Sequence, residues 1–90
     1  MLRTLTTQRT HLFPGARLQL DGHLPGEAVD VVLIFAEGAF TEARLSPGVD
    51  GFIVDVDEHR AAAGTSIPMK SWALEREANG ALRVVRRVKD

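Results

Sequence analysis

The sequence predicts a mostly β fold, a small antiparallel barrel or strongly curled sheet of five to seven short strands. Turn-forming pairs recur at short intervals, at Pro14-Gly15, Asp21-Gly22, Pro25-Gly26, Pro47-Gly48, Asp50-Gly51 and Asn79-Gly80. The runs between these turns are short and rich in branched aliphatic residues and threonine, which is typical of strands. No long segment has the periodicity of an amphipathic helix, so at most one short helical turn is expected, near residues 58–63.

The chain has 90 residues, and residues 1–90 are expected to form a single domain, because two domains would each be too small for a core. Threonines near the start favour extended structure, so residues 1–13 are interpreted as an edge strand with an irregular end. Within it, residues 1–8 are where disorder is expected, as is common at chain termini.

The longest apolar run, residues 28–36, is dominated by β-branched side chains and does not alternate with polar ones. This pattern predicts a strand that is buried on both faces, in the middle of the sheet. Three neighbouring runs, 16–20, 40–45 and 52–57, do alternate and read as half-buried strands. The predicted inward residues are Leu18 and Leu20 in the first run and Phe52, Val54 and Val56 in the last, and one face of the middle run carries Thr41, Ala43 and Leu45.

Residues 71–80 fit two structures. Ser71 and Gly80 could cap a helix, or residues 67–77 and 82–88 could form a hairpin around a type I′ turn at Asn79-Gly80. The hairpin is favoured, because an apolar strand follows the Asn-Gly pair directly. Its last strand would have an inner face of Leu82, Val84 and Val88, interrupted by Arg86.

Composition excludes several classes of protein. The chain has no cysteine, so disulfide frameworks and thiolate metal sites are excluded. The N-terminus, residues 1–7, lacks the apolar stretch of a signal peptide and no apolar run approaches the length of a membrane span, so the expected location is cytoplasmic, with no membrane partner. The formal net charge of −1 argues against a protein that binds nucleic acid mainly through phosphate contacts.

The most site-like cluster is acidic. Asp55, Asp57 and His59 are spaced by two, so one face of a strand could present them to a divalent metal or use them for acid–base chemistry. This spacing matches no defined metal motif, and a solvated, ion-paired face is the more frequent explanation. We therefore expect no cofactor, and we expect Asp55 and Asp57 to face Arg83 and Arg87 on a neighbouring strand.

A second candidate is a basic surface near the end of the chain, which could bind an anion or nucleic acid. Its members are Lys70, Trp72, Arg76, Arg83, Arg86, Arg87 and Lys89. Trp72 could stack on a base, although a domain with only five aromatic residues is expected to use it in the core.

Apolar residues also fall on faces that should point outward, at Val32, Ile53 and Val85. Either the sheet closes on itself or a second copy of the chain covers these residues. The sequence thus favours a non-enzymatic interaction or accessory module that forms a homodimer and serves a further protein partner. An anion- or nucleic-acid-binding barrel is the alternative, and a metal-dependent enzyme around the acidic cluster comes third.

Overall fold

The computed structural model describes residues 2–56, 59–60, 66–67 and 70–89, and nearly all of their regular structure is β. In chain order the described elements are β1 (Arg3–Thr7), β2 (Arg17–Leu20), β3 (Val29–Ile34), a 3-10 turn (Ala36–Gly38), β4 (Phe40–Pro47), β5 (Phe52–Val56), β6 (His59–Arg60), β7 (Ser66–Ile67), β8 (Lys70–Arg76) and β9 (Leu82–Lys89). Seven strands close into a barrel in the order β1-β2-β9-β8-β5-β4-β3, while β6 and β7 form a separate two-stranded sheet. The predicted small β-barrel is confirmed.

One pair of strands in the barrel, β1 with β3, is parallel, and the other six neighbouring pairs are antiparallel. Strands can alternate in direction around a closed ring only if their number is even. Because this ring has seven strands, one neighbouring pair must run in the same direction. The sequence predicted an antiparallel barrel, and closure with an odd number of strands accounts for the exception.

The barrel interior is filled by aliphatic side chains from all seven strands together with Trp72, which is only 9% exposed. Full burial of one such side chain stabilises the fold by about 1.5–3 kcal/mol. The predicted core face of β5 is confirmed, since Val54 and Val56 are buried, and in β4 the face shared by Ala43 and Leu45 is the one that points into the barrel. The largest fully buried side chains are Leu5, Leu18, Leu33, Leu45, Leu82, Val31, Val54 and Val84.

The prediction that β3 is buried on both faces is wrong. Val31 and Leu33 are completely buried, but Val32 and Ile34 are half-buried and Asp30 is exposed. In a closed barrel every strand has one interior face, and no described helix covers the outside of this one. The apolar run of β3 therefore marks a strand that is more apolar outside than usual, rather than the middle of an open sheet.

The C-terminal hairpin is confirmed, because β8 and β9 pair in an antiparallel ladder. Its predicted type I′ turn is wrong, since such a turn needs positive φ at both central residues and only Gly80 has it, at 89°. The amide of Gly80 donates to the carbonyl of Glu77, and the amide of Glu77 donates to that of Ala81. This is a three-residue loop, a type I turn followed by a glycine bulge.

Two register shifts interrupt the β8–β9 ladder and change which β9 residues face outward. Leu74 is opposite Val84 and Ala73 is opposite Arg86, so Val85 is the extra residue of the first bulge. Val88 is the extra residue of the second bulge. The predicted inner position of Val88 is therefore wrong, because each bulge moves the following residue to the other face.

Two terminal and loop predictions also change. Residues 3–7, within the segment expected to be disordered, form β1, which is held by the complete burial of Leu5. Of residues 58–63, only His59 and Arg60 are described, and they form β6 rather than a helical turn. The described helical turn lies at residues 36–38 instead, where Glu37 has a positive φ of 68°.

Within the described part of the chain, no helix is long and apolar enough to cross a bilayer.

Candidate interaction surface

The outer side chains of β4, β5, β8 and β9 form three rows that run across the strands. Cross-strand pairing places Ser46, Ile53, Ala73 and Arg86 in the middle row. One flanking row consists of Arg17, Arg83 and Glu75, and the other consists of Asp30, Arg44, Asp55 and Ser71. The centre of the middle row, Ile53 and Ala73, is apolar, whereas both flanking rows are polar or charged.

A groove of about 270 Å³ lies over the middle row, between the β4–β5 turn and the bulged part of β9. The apolar band is the name we give to Ile53, Ala73, Val85 and Val88, which line this groove together with the turn residue Val49. Val85 and Val88 are 38% and 39% exposed, and Val49 is fully exposed. The two bulges place these β9 valines on the outer surface, where they contribute little to the core.

The first flanking row is an ion-pair network. The Nε of Arg17 lies 2.8 Å from Oε1 of Glu77, and the Nη2 of Arg83 lies 3.1 Å from Oε1 of Glu75. Glu77 also lies 3.8 Å from the Nε of Arg83, so it links the two arginines. The network joins β2, β9 and the β8–β9 turn, and it compensates the charge of Arg83.

The other flanking row contains the one member of the predicted acidic cluster whose side chain is described, Asp55. The Ser71 hydroxyl donates a hydrogen bond to its Oδ1. In the same row, Arg44 binds Asp30, with 3.0 Å between Nη2 and Oδ1. An open cleft of about 510 Å³ adjoins this row and also contacts Leu2.

The structure does not assemble the acidic cluster as a metal site. Asp57 and the side chain of His59 lie outside the described residues. Among the residues that are described, no three His, Cys, Asp or Glu side chains lie close enough to hold a metal ion. The expected pairing of Asp55 with Arg83 or Arg87 is wrong, because β8 lies between β5 and β9.

The residues of the predicted basic surface lie in different environments. Trp72 is buried in the core, so it does not offer its ring for stacking on a base. Arg83 is bound by glutamates, Arg86 belongs to the middle row, and Arg87 is opposite Trp72. Arg76 is exposed at the end of β8 and Lys70 is half-buried at its start, whereas the side chain of Lys89 is outside the described residues.

Sequence reasoning found part of the interaction surface and missed the rest. Ile53 and Val85 were predicted to face outward, and they do. Val88 was assigned to the interior, because nothing in its local pattern indicates a bulge. Val49 and Asp50 were interpreted only as turn residues. An exposed turn beside an apolar strand is a signal of a groove, but the groove is recognised only once the order of strand pairing is known.

The fold and surface define a closed seven-stranded β-barrel with an apolar band between two polar rows. Comparisons with protein-family models, with curated proteins and with solved structures find no match.

Proposed function

We propose that this chain is a small non-enzymatic interaction module that self-associates into a homodimer through the apolar band. The observation that carries this proposal is the exposure of Val85 and Val88 in a groove flanked by two polar rows. Specific protein interfaces have the same anatomy, an apolar centre surrounded by a polar rim.

The flanking rows favour a specific contact over indiscriminate adhesion. Their arginines are already oriented by acidic partners, as Arg83 is by Glu75 and Arg44 is by Asp30. A partner that covers the apolar band can therefore leave these ion pairs in water at its edge. Burial of the flanking-row charges without their partners, which would be costly, is avoided.

The size of the band sets the expected strength of association. Four strands about 4.8 Å apart and three rows about 7 Å apart cover a patch of about 14 Å by 14 Å. Stable interfaces bury about 800 Å² on each partner, which is several times more than this flat area. We therefore expect a reversible homodimer with a Kd of roughly tens of micromolar.

Sedimentation velocity from about 5 µM to about 500 µM tests the proposal, because a Kd in that range moves the weight-average mass from monomer to dimer. Val85→Asp is expected to keep the chain monomeric throughout. Phe40→Asp is the matched control, since Phe40 is 69% exposed on β4 but does not line the groove. A wild-type chain that stays monomeric at the highest concentration would refute the proposal.

Two further measurements test the other functions that the sequence suggested. A gel-shift titration with a nucleic-acid ladder, repeated across salt concentrations, tests the anion-binding alternative. Thermal stabilisation on adding Zn²⁺, Mn²⁺ or Mg²⁺ tests a metal-dependent enzyme around Asp55, Asp57 and His59.

A further inference from the structure

Two charged residues at the groove stand apart from the ion-paired rows. Asp50 in the β4–β5 turn and Arg86 on β9 both line the groove, and both are exposed. Neither has an ion-pair partner among the described residues. The nearby Glu75, which also lines the groove, is already bound by Arg83.

The opposite charges are carried at opposite ends of the four-strand order that lines the groove. The strand order is β4-β5-β8-β9, so the turn between β4 and β5 is at one side and Arg86 on β9 is at the other. Ile53 and Ala73, on β5 and β8, are opposite each other between them. The groove thus has a negative side, an apolar centre and a positive side.

We propose that the groove is occupied by a second copy of this chain, related by a two-fold axis, with Asp50 of each copy paired to the partner's Arg86. This inference rests on the proposed self-association and adds its orientation. In a face-to-face two-fold dimer, residues on opposite sides of the axis meet, and every contact occurs twice. This two-fold arrangement places Ile53 and Ala73 of one copy against the corresponding apolar residues of the other. Both Asp50–Arg86 ion pairs then form together.

Charge complementarity selects this arrangement over other orientations. If the two copies were turned so that like sides met, Arg86 would lie against the partner's Arg86 and Asp50 against the partner's Asp50. Like charges placed together at an interface are strongly unfavourable and suppress wrong docking modes. A surface that carries both signs across an apolar centre is complementary to itself, whereas a purely acidic or basic surface is not.

Charge reversal tests the orientation. Asp50→Arg and Arg86→Asp are each expected to raise the homodimer Kd at least about tenfold, because each creates two like-charge contacts. An equimolar mixture of the two variants is expected to form a heterodimer with nearly wild-type affinity, since both contacts are again between opposite charges, one with the original sign and one reversed. The double variant is expected to recover the homodimer for the same reason.

Controls and outcomes separate the inference from the proposed function. Glu27→Arg and Arg76→Asp change the same charges at exposed positions outside the groove and are expected to leave the Kd unchanged. Thermal melts verify that each variant folds. Unchanged dimerisation of the charge variants, or a mixture no tighter than either variant alone, overturns the orientation while leaving self-association intact. A monomeric wild-type chain overturns both.

Discussion

Gly51, at the end of the β4–β5 turn, is expected to tolerate no side chain. A Cβ atom added there would lie 2.2 Å from the carbonyl oxygen of Leu74, whereas real Cβ contacts are essentially never below 3.0 Å. The obstacle is the backbone of β8, which pairs with β5 in the barrel and cannot rotate away as a side chain can. Gly51→Ala must therefore move the turn away from β8 by roughly 1 Å, or distort the ladder.

The magnitude follows from two opposing terms. Overpacking against a fixed neighbour costs about 1–3 kcal/mol, and replacing glycine by alanine recovers about 0.4–1 kcal/mol from the unfolded chain. We expect Gly51→Ala to lower the free energy of unfolding by about 1–2 kcal/mol, and Tm by about 5–15 °C in a domain of this size. Because Gly51 lines the groove, self-association is expected to weaken as well.

The matched control is Gly48→Ala, in the same turn. A Cβ atom at Gly48 would make an ordinary contact of 3.5 Å with the Ile53 side chain, and the backbone there needs no positive φ. Its stability is expected to be unchanged or slightly raised. Urea denaturation of both variants measures the difference, and equal stability of Gly51→Ala and Gly48→Ala would refute the steric argument.

Three further substitutions test other parts of the fold. Glu37→Gly removes a non-glycine residue from positive φ and is expected to stabilise the chain by about 0.5 kcal/mol in urea denaturation, whereas Glu27→Gly gives no gain. Leu5→Ala is expected to lower the free energy of unfolding by about 2–5 kcal/mol in the same measurement, because Leu5 is fully buried. Leu2 is 47% exposed, so Leu2→Ala is expected to change it very little. Similar losses for the two variants would mean that β1 is not part of the core. Arg3→Ala removes hydrogen bonds to two carbonyls of the β2–β3 loop. The variant is expected to be cleaved faster by proteases in this loop and to lose about 1 kcal/mol of unfolding free energy. An unchanged cleavage rate would contradict this role of Arg3.

Local pattern predicted the class of fold and much of its core. The alternation in β5 identified Val54 and Val56 as inward residues, and that in β4 placed Ala43 and Leu45 on one face, because a half-buried strand reveals its faces by period two. The Asn79-Gly80 pair located the last hairpin for a similarly local reason. Its exact turn geometry depends on the strands that it joins, so the Asn-Gly pair alone does not distinguish a type I′ turn from a three-residue loop.

What local pattern missed depends on long-range pairing. The bulges at Val85 and Val88 are defined by which β8 residues they skip, and that pairing is absent from the β9 sequence itself. The predicted partners of Asp55 were wrong for the same reason, because the strand next to β5, which carries Asp55, is β8 and not β9. Sequence reasoning left two explanations for the outward Ile53 and Val85; closure of the barrel is now shown, and the homodimer stays a prediction.

The position of β9 between β2 and β8 has a consequence for how the chain folds. Leu18 pairs with Leu82, so the ring is joined by residues from opposite parts of the sequence. Contacts between distant residues carry a large loop-closure cost and are formed slowly. During synthesis, β1 to β5 cannot be closed into the ring until β8 and β9 have been made, so any sheet that they form before then has two unpaired edges, which favour aggregation.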